Sequence, residues 1–294
     1  VAVISQTSHL KPQILSVTSV HISHLDMMFS SAYKYQVNQW YFRPTDVFLA
    51  SYPRSGNTWM RLLLSDVIKQ LGGETTQPGG NVIPDVYKVD IEDWYRNPRI
   101  KIPFRIIKTH EPFDLISDYR IIYLFRHPAD CLCSYYHYQL RSPKFRKNNS
   151  GIDEFCLNLI NQWCGHINSY LEAAKTDSDR LLFVSYESLN NNPVESLKNA
   201  CIFMDLDITE SQAKIAVTNQ QFRQLKSLSQ RGDSQTLGFA ENGGYQNFFR
   251  RGEINSSAQE LSGNTRETIN HKSQNLDNQM RELESQKVTN INSN

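Results

Sequence analysis

Four short apolar runs, separated by longer stretches of helical periodicity, set out the chain. Val47, Phe48, Leu49 and Ala50 form the first run, with the length and composition of a buried strand. Pro, Ser and Gly break the pattern over 52–57, and an apolar-rich helical pattern then runs over 59–71 to a stop at Gly72 and Gly73. Residues 105–108 (RIIK) and 120–125 (RIIYLF) read as the second and third strands, the latter followed by a helix from about Pro128 to Leu140. Residues 152–174 read as a long helix with Phe155, Leu159, Trp163, His166 and Tyr170 on roughly one face. A fourth strand is predicted over 181–184. Pro193 then opens a helix carrying Val194, Leu197, Cys201 and Met204.

Strands that alternate with helices predict an α/β fold: a central parallel sheet flanked by helices in three layers. In such sheets ligands sit at the carboxyl ends of the strands, and that is where the unusual polar residues of this chain fall. Residues 72–81 and 142–151 read as polar loops. Residues 83–103, with Tyr87, Trp94 and Tyr95 among charges, read as a mobile cover. Residues 1–43 are expected to be an N-terminal extension, partly disordered, with Met27 or Met28 a candidate native start. Residues 44–254 are expected to be the domain. The stretch 255–294, rich in Asn, Ser, Gln and Glu, is expected to be a weakly ordered tail.

The strand, tight loop and helix over 46–64 (DVFLASYPRSGNTWMRLLL) make a seat for a phosphate or sulfate, because the loop and the helix N-terminus turn backbone N–H groups toward one point. Gly56 lets the backbone approach an anion. Ser55, Asn57 and Thr58 add side-chain donors, and Arg54 adds a fixed positive charge. The loop is not G-x-x-x-x-G-K-[ST], which disfavours an ordinary ATP or GTP hydrolase.

Composition narrows the choice further. The chain has 294 residues with 31 basic against 30 acidic, a net charge of +1, so nothing in the bulk electrostatics calls for nucleic acid or an anionic membrane. Any anion site has to be local. The five cysteines, at 131, 133, 156, 164 and 201, show no C-x-x-C spacing, which argues against a zinc site or a disulfide framework and for reduced thiols in the cytoplasm. There is no apolar run of membrane-spanning length.

Three predicted strand ends carry the remaining chemistry: residues 54–58 after the first, Lys108 and His110 after the second, Arg126 and Ser134 after the third. Arg126 and Ser134 are eight apart and suit a second anion, so the ligand has two separate anionic groups. A cation beside His110 lowers its pKa and leaves a neutral imidazole, the state a general base needs.

YPRSGNTW at 52–59, KTHEP at 108–112, RHPADCLCSYYHY at 126–138, SYESLNNNP at 185–193 and FFRRG at 248–252 occur in the order and approximate spacing of the cytosolic-type sulfotransferases. The chain resembles that family from about 44 to 252. The resemblance implies a P-loop-like fold and 3′-phosphoadenylyl sulfate (PAPS) as sulfuryl donor, with no metal required. It implies that 54–58 is the 5′-phosphosulfate loop, with Trp59 beside the adenine. Arg126 and Ser134 would hold the 3′-phosphate together with Arg250, Arg251 and Gly252; Phe222 would stack on adenine, and Tyr186 would be a further nucleotide contact. His110 would be the base, with Lys108 and Arg54 as cations beside the transferring group. The acceptor would be a small hydroxyl or amine compound, and the resemblance admits a homodimer.

Three departures stand out. Arg54 occupies a position where the family most often has Lys, Asn57 replaces a usual Thr, and Asn255, Ser256, Ser257 and Ala258 follow where the family usually continues Gly-Asp-Trp-Lys. Two alternatives stay open: a P-loop-like nucleotide kinase, weakened by the absent Walker Lys and carboxylates, and, from the altered stretch after Gly252, a nucleotide-binding protein that has lost catalysis. Tyr87, Trp94, Tyr95, Phe113 and Tyr138 are the candidates for an aromatic acceptor pocket.

Overall fold

A computed structural model of the chain describes residues 33–72, 82–91, 103–221, 225–227 and 250–293. Four parallel strands form its centre: β1 (Val47–Ser51), β2 (Ile106–Thr109), β3 (Arg120–Phe125) and β4 (Leu181–Ser185), in the order β2-β1-β3-β4. Every residue of β1, β2 and β4 is buried, as expected of a parallel sheet covered on both faces. Successive residues of β1 feed opposite cores: Val47 and Leu49 pack on one side, Phe48 and Ala50 on the other.

The first core is closed by α1 (Asn57–Gln70), α6 (Pro193–Phe203) and α7 (Glu210–Asn219), through Met60, Leu63, Leu197, Cys201 and Ala213 among others. The second is closed by α2 (Pro128–Gln139) and α4 (Ile152–Asp177), with Leu132, Trp163, Ile167 and Tyr170 against Phe48, Tyr123 and Phe125. Two short helices, α3 (Pro143–Asn148) and α5 (Tyr186–Asn191), complete the connections before the C-terminal region. The start of the sheet is clamped by the buried pair Arg105 and Asp46, with Nε donating to Oδ1 at 2.7 Å and Nη2 to Oδ2 at 2.5 Å. Because β2 and β3 lie on opposite sides of β1, the order of the strands reverses there, which opens a crevice at the carboxyl ends.

Three expectations change. Residues 83–91 of the predicted cover are built onto the sheet: Ile83, Val86 and Ile91 are buried, as is Val82 before them, and the backbone pairs with the edge of β2 through Val86 N–H to Lys108 O and Lys108 N–H to Pro84 O. Charged residues among the apolar ones masked that edge in the sequence. Residues 33–39 of the expected N-terminal extension are helical, and the buried Asn38 amide donates to Val86 O and Val89 O.

The third correction is the expected tail. Residues 256–259 form a 3₁₀ turn, and α8 (Gly263–Ser293) packs against α4, β4 and α2. Its buried stripe, Thr265, Ile269, Ser273, Asp277, Met280 and Glu284, has helical spacing but only two apolar members. The polar members bond instead: Glu284 accepts from Ser185 N–H at 2.8 Å and Ser185 Oγ at 3.2 Å, and Asp277 pairs with Arg281. A reading based on apolar area passes over such a helix. Among the described residues no helix is long and apolar enough to cross a membrane.

Candidate active site

The loop after β1 turns into α1 through two left-handed residues, Arg54 (φ 74°) and Gly56 (φ 96°). Gly56 O accepts the first helical bonds, from Trp59 N–H and Met60 N–H, so the N–H groups before them have no partner within the helix. Not every polar side chain of the loop serves that opening. The Asn57 amide turns back, its Nδ2 donating to Leu49 O at 3.0 Å and Ser51 Oγ at 3.2 Å, and Ser55 is fully buried with its hydroxyl 3.5 Å from Cys131 Sγ. These two therefore brace the loop, in contrast to the anion-donor role expected of their side chains.

Ser51 at the end of β1 also fixes His110 at the end of β2. The imidazole Nδ1 lies 2.7 Å from Ser51 O. A carbonyl only accepts, so Nδ1 carries the proton and Nε2 keeps its lone pair. Burial, then the charge of Lys108, pushes the His110 pKa well below the ordinary 6.5, which keeps the ring neutral. His166 supports the same strand end: Nε2 donates to His110 O at 3.1 Å while Nδ1 accepts from Tyr123 Oη at 2.8 Å. Tyr87 closes the other side, its ring stacked at 6.4 Å and 13° on the imidazole and its hydroxyl accepting His110 N–H and donating to Glu111.

Lys108 is 7 % exposed, and its ammonium lies 3.0 Å from Asp85 Oδ2 and 5.2 Å from the centre of the Tyr87 ring. Burial lowers its pKa to about 8, with Asp85 acting in the opposite direction. Burial works to raise the Asp85 carboxyl, but Lys108, Arg61 and Lys88 outweigh it and hold that group well below the carboxylate range. Arg54 Nε donates to Ser134 Oγ at 3.2 Å, with the guanidinium 5.2 Å over the Tyr138 ring. Ser134 thus meets Arg54 directly, across from β3.

The third strand end delivers Arg126, whose guanidinium lies 4.2 Å over the ring of Tyr186, the first residue of α5. Its Nη2 donates to Glu253 O, and its Nε is buried without a hydrogen-bond partner among the described residues, a donor left for a ligand. Tyr186 also packs at 6.3 Å from Trp59 and donates its hydroxyl to Gly252 O. The unusual segment after Gly252 is anchored at this point: the Asp130 carboxylate accepts from Asn255 N–H at 2.7 Å and Ser257 N–H at 2.8 Å. Glu260 then gathers Arg250, Arg251 and His137.

One cavity of 390 Å³ receives most of the predicted site residues. Arg54, Gly56, Asn57, Thr58, Trp59, Lys108, His110, Arg126, Ser134, Tyr186, Arg250, Arg251 and Gly252 line it; Ser55 does not, and Phe222 lies outside the described residues. Sequence reading passed over Arg61, Asp85, Lys88 and Tyr135, which also line the wall. For Asp85 and Lys88 the signal was absent because the stretch holding them resembles a loop; Arg61 and Tyr135 sit inside predicted helices, where nothing in the sequence marks the face turned to the cavity. Of the candidate acceptor aromatics, Tyr87 and Tyr138 line the cavity, Phe113 packs on Tyr170 instead, and Trp94 and Tyr95 lie outside the described residues. Seven cationic side chains against the single carboxylate of Asp85, among the described lining residues, suit an occupant with several negative charges. Among the described residues no group of three or more His, Cys, Asp or Glu is placed to hold a metal ion.

A family model described as the sulfotransferase domain matches residues 44–284, which carries the domain through most of α8. The chain is 29% identical over 209 residues to flavonol 3-sulfotransferase of Flaveria bidentis, covering 63% of this chain and 66% of that enzyme, just under two thirds of its length. It is 27% identical over 252 residues to cytosolic sulfotransferase 7 of Arabidopsis thaliana, covering 74% of each. Among solved structures it is similar in fold to mouse sulfotransferase SULT7A1 complexed with PAP, with a TM-score of 0.64 at 22% identity over 87% of this chain and 94% of that one.

Proposed function

The chain belongs to the sulfotransferase family, and on that premise we propose that it transfers a sulfuryl group from PAPS to a hydroxyl or amine of a small acceptor. The observation that carries this reading is the convergence, in one cavity, of the helix start after β1, the neutral His110 imidazole and the cations Arg54, Lys108, Arg126, Arg250 and Arg251.

In the reaction the acceptor oxygen or nitrogen forms a bond to sulfur as the bond from sulfur to the donor's phosphate oxygen breaks. His110 Nε2 takes the acceptor proton, and the bisphosphate PAP leaves with the bonding electron pair. Arg54 and Lys108 stabilise charge on the bridging and equatorial oxygens. They gain strength from burial in the crevice. Arg126, Arg250, Arg251 and Ser134 hold the 3′-phosphate, for which the orphaned Arg126 Nε–H is the best evidence. Gly56 admits the 5′ end, with Trp59 and Tyr186 as its aromatic neighbours.

The relatives' names, which include a flavonol enzyme and a cytosolic one, support a small flat acceptor and a cytoplasmic location. Incubation with PAPS and a panel of phenols, flavonols and aliphatic alcohols, followed by mass spectrometry, tests the proposal. Equimolar PAP and sulfated product support it; PAPS left intact across the panel, with PAP bound, moves the chain to a non-catalytic nucleotide-binding protein.

A further inference from the structure

A carboxylate in a cavity that takes an anionic ligand weakens that ligand's binding, so Asp85 needs an account. Its position is fixed twice over. Asp85 Oδ1 accepts Tyr87 N–H at 3.2 Å, and its backbone carbonyl accepts from Lys88 N–H and Val89 N–H. Its Oδ2 is then left on the Lys108 ammonium at 3.0 Å, with both side chains nearly buried. The charged and titratable groups around Lys108 are Asp85, Tyr87 and Lys88 on the edge segment, Arg61 on α1 and His110 beyond β2. Asp85 is the anion among these and favours a positive charge on Lys108, with the face of the Tyr87 ring as a weaker attraction; Arg61, Lys88 and burial all oppose it.

We infer that Asp85 is a positioning residue for the transfer reaction: it holds the Lys108 ammonium charged and in place beside His110. The inference rests on the sulfuryl-transfer reading for its use, though the pairing itself does not. Asp85 touches the edge strand and Lys108, and it reaches the reacting group chiefly through that lysine, with a smaller direct pull that favours charge on His110. Removing its charge leaves a buried ammonium between Arg61 and Lys88, which sheds its proton. The cost then appears as a pH dependence, which a purely architectural ion pair would not produce.

The test compares wild type with Asp85→Asn in two readouts. One is the pH dependence of acetic anhydride labelling at Lys108, followed by mass spectrometry; the other is the pH profile of kcat with PAPS. In the wild type both the labelling midpoint and the alkaline limb of kcat fall near the Lys108 pKa of about 8. In Asp85→Asn both move down by about one pH unit or more, with kcat at about pH 7.5 reduced roughly threefold or more and recovered in part at lower pH. Lys108→Arg, whose guanidinium stays charged, loses the alkaline limb with Asp85 untouched, so the inference stays testable should the Asn variant fail to fold. An unmoved labelling midpoint in Asp85→Asn overturns the inference, as does a moved midpoint with an unmoved kcat profile, or an alkaline limb that survives in Lys108→Arg. A midpoint that moves in Asp85→Asn, while the wild type transfers no sulfuryl group, refutes the functional reading and leaves the pairing standing.

Discussion

Gly56 lies beneath the ring of Tyr186 so closely that a Cβ on it would stand 2.9 Å from the ring's Cδ2. The contact ties the loop after β1 to the start of α5 after β4, two points far apart in sequence that bound the same cavity. At φ 96° the backbone of Gly56 is also one that side chains rarely adopt. Gly56→Ala should cost about 1–3 kcal/mol in strain and push Tyr186 away from Arg126. Thermal denaturation reads the first effect, and weakened PAP binding the second; an unchanged affinity for PAP would remove Gly56 from the site.

His110→Ala should lower kcat by about 10²-fold or more while leaving PAP binding nearly intact. Single-turnover kinetics beside calorimetric titration separates the two. A turnover close to wild type would place the base elsewhere.

The two depressed imidazoles make the fold sensitive to acid. His110 is held well below 6.5 and His166 at about 4, in each case by burial first. In both cases the folded pKa lies below the unfolded one, so below 6.5 the unfolded chain binds protons that the folded chain refuses. Stability should therefore fall as pH drops from 6.5 toward 4, and His166→Gln should flatten that slope. Denaturant midpoints across this range check it; a slope identical in the variant would contradict the role given to His166.

Arg126→Ala should weaken PAP far more than 5′-AMP, because the lost cation serves the 3′-phosphate. Equal losses for the two nucleotides would take Arg126 out of that role. The 1 % exposed Asp130 holds Asn255 and Ser257 and lies 3.7 Å from Arg126, so Asp130→Ala should destabilise the fold by about 3–5 kcal/mol. Chemical denaturation measures that loss.

Met280 is fully buried, and Met280→Ala should cost about 2–5 kcal/mol if α8 is integral to the domain. A change within a few tenths would return the C-terminal stretch to the weakly ordered tail that its composition suggests.

The strands and the loop after β1 were legible because burial on both faces forces short apolar runs, and those runs carry the site at their ends. Arg120–Phe125 was readable to the residue. The helix α8 was not, since Ser273, Asp277 and Glu284 fill its buried stripe with hydrogen bonds in place of apolar area. Asp85 was hidden for a related reason: its worth depends on a lysine 23 residues away in sequence. Asn57 was legible as a polar loop residue, but the direction of its amide, back toward Leu49 and Ser51, is set by the end of β1 and by no neighbour in sequence.

The most direct test of the central claim is calorimetric titration of the full chain with PAP in the presence of a chelator, and with ATP with and without Mg²⁺. PAP should bind at micromolar or tighter affinity without metal, and ATP much more weakly under either condition. Preference for ATP with Mg²⁺, or no binding of PAP, would contradict that claim.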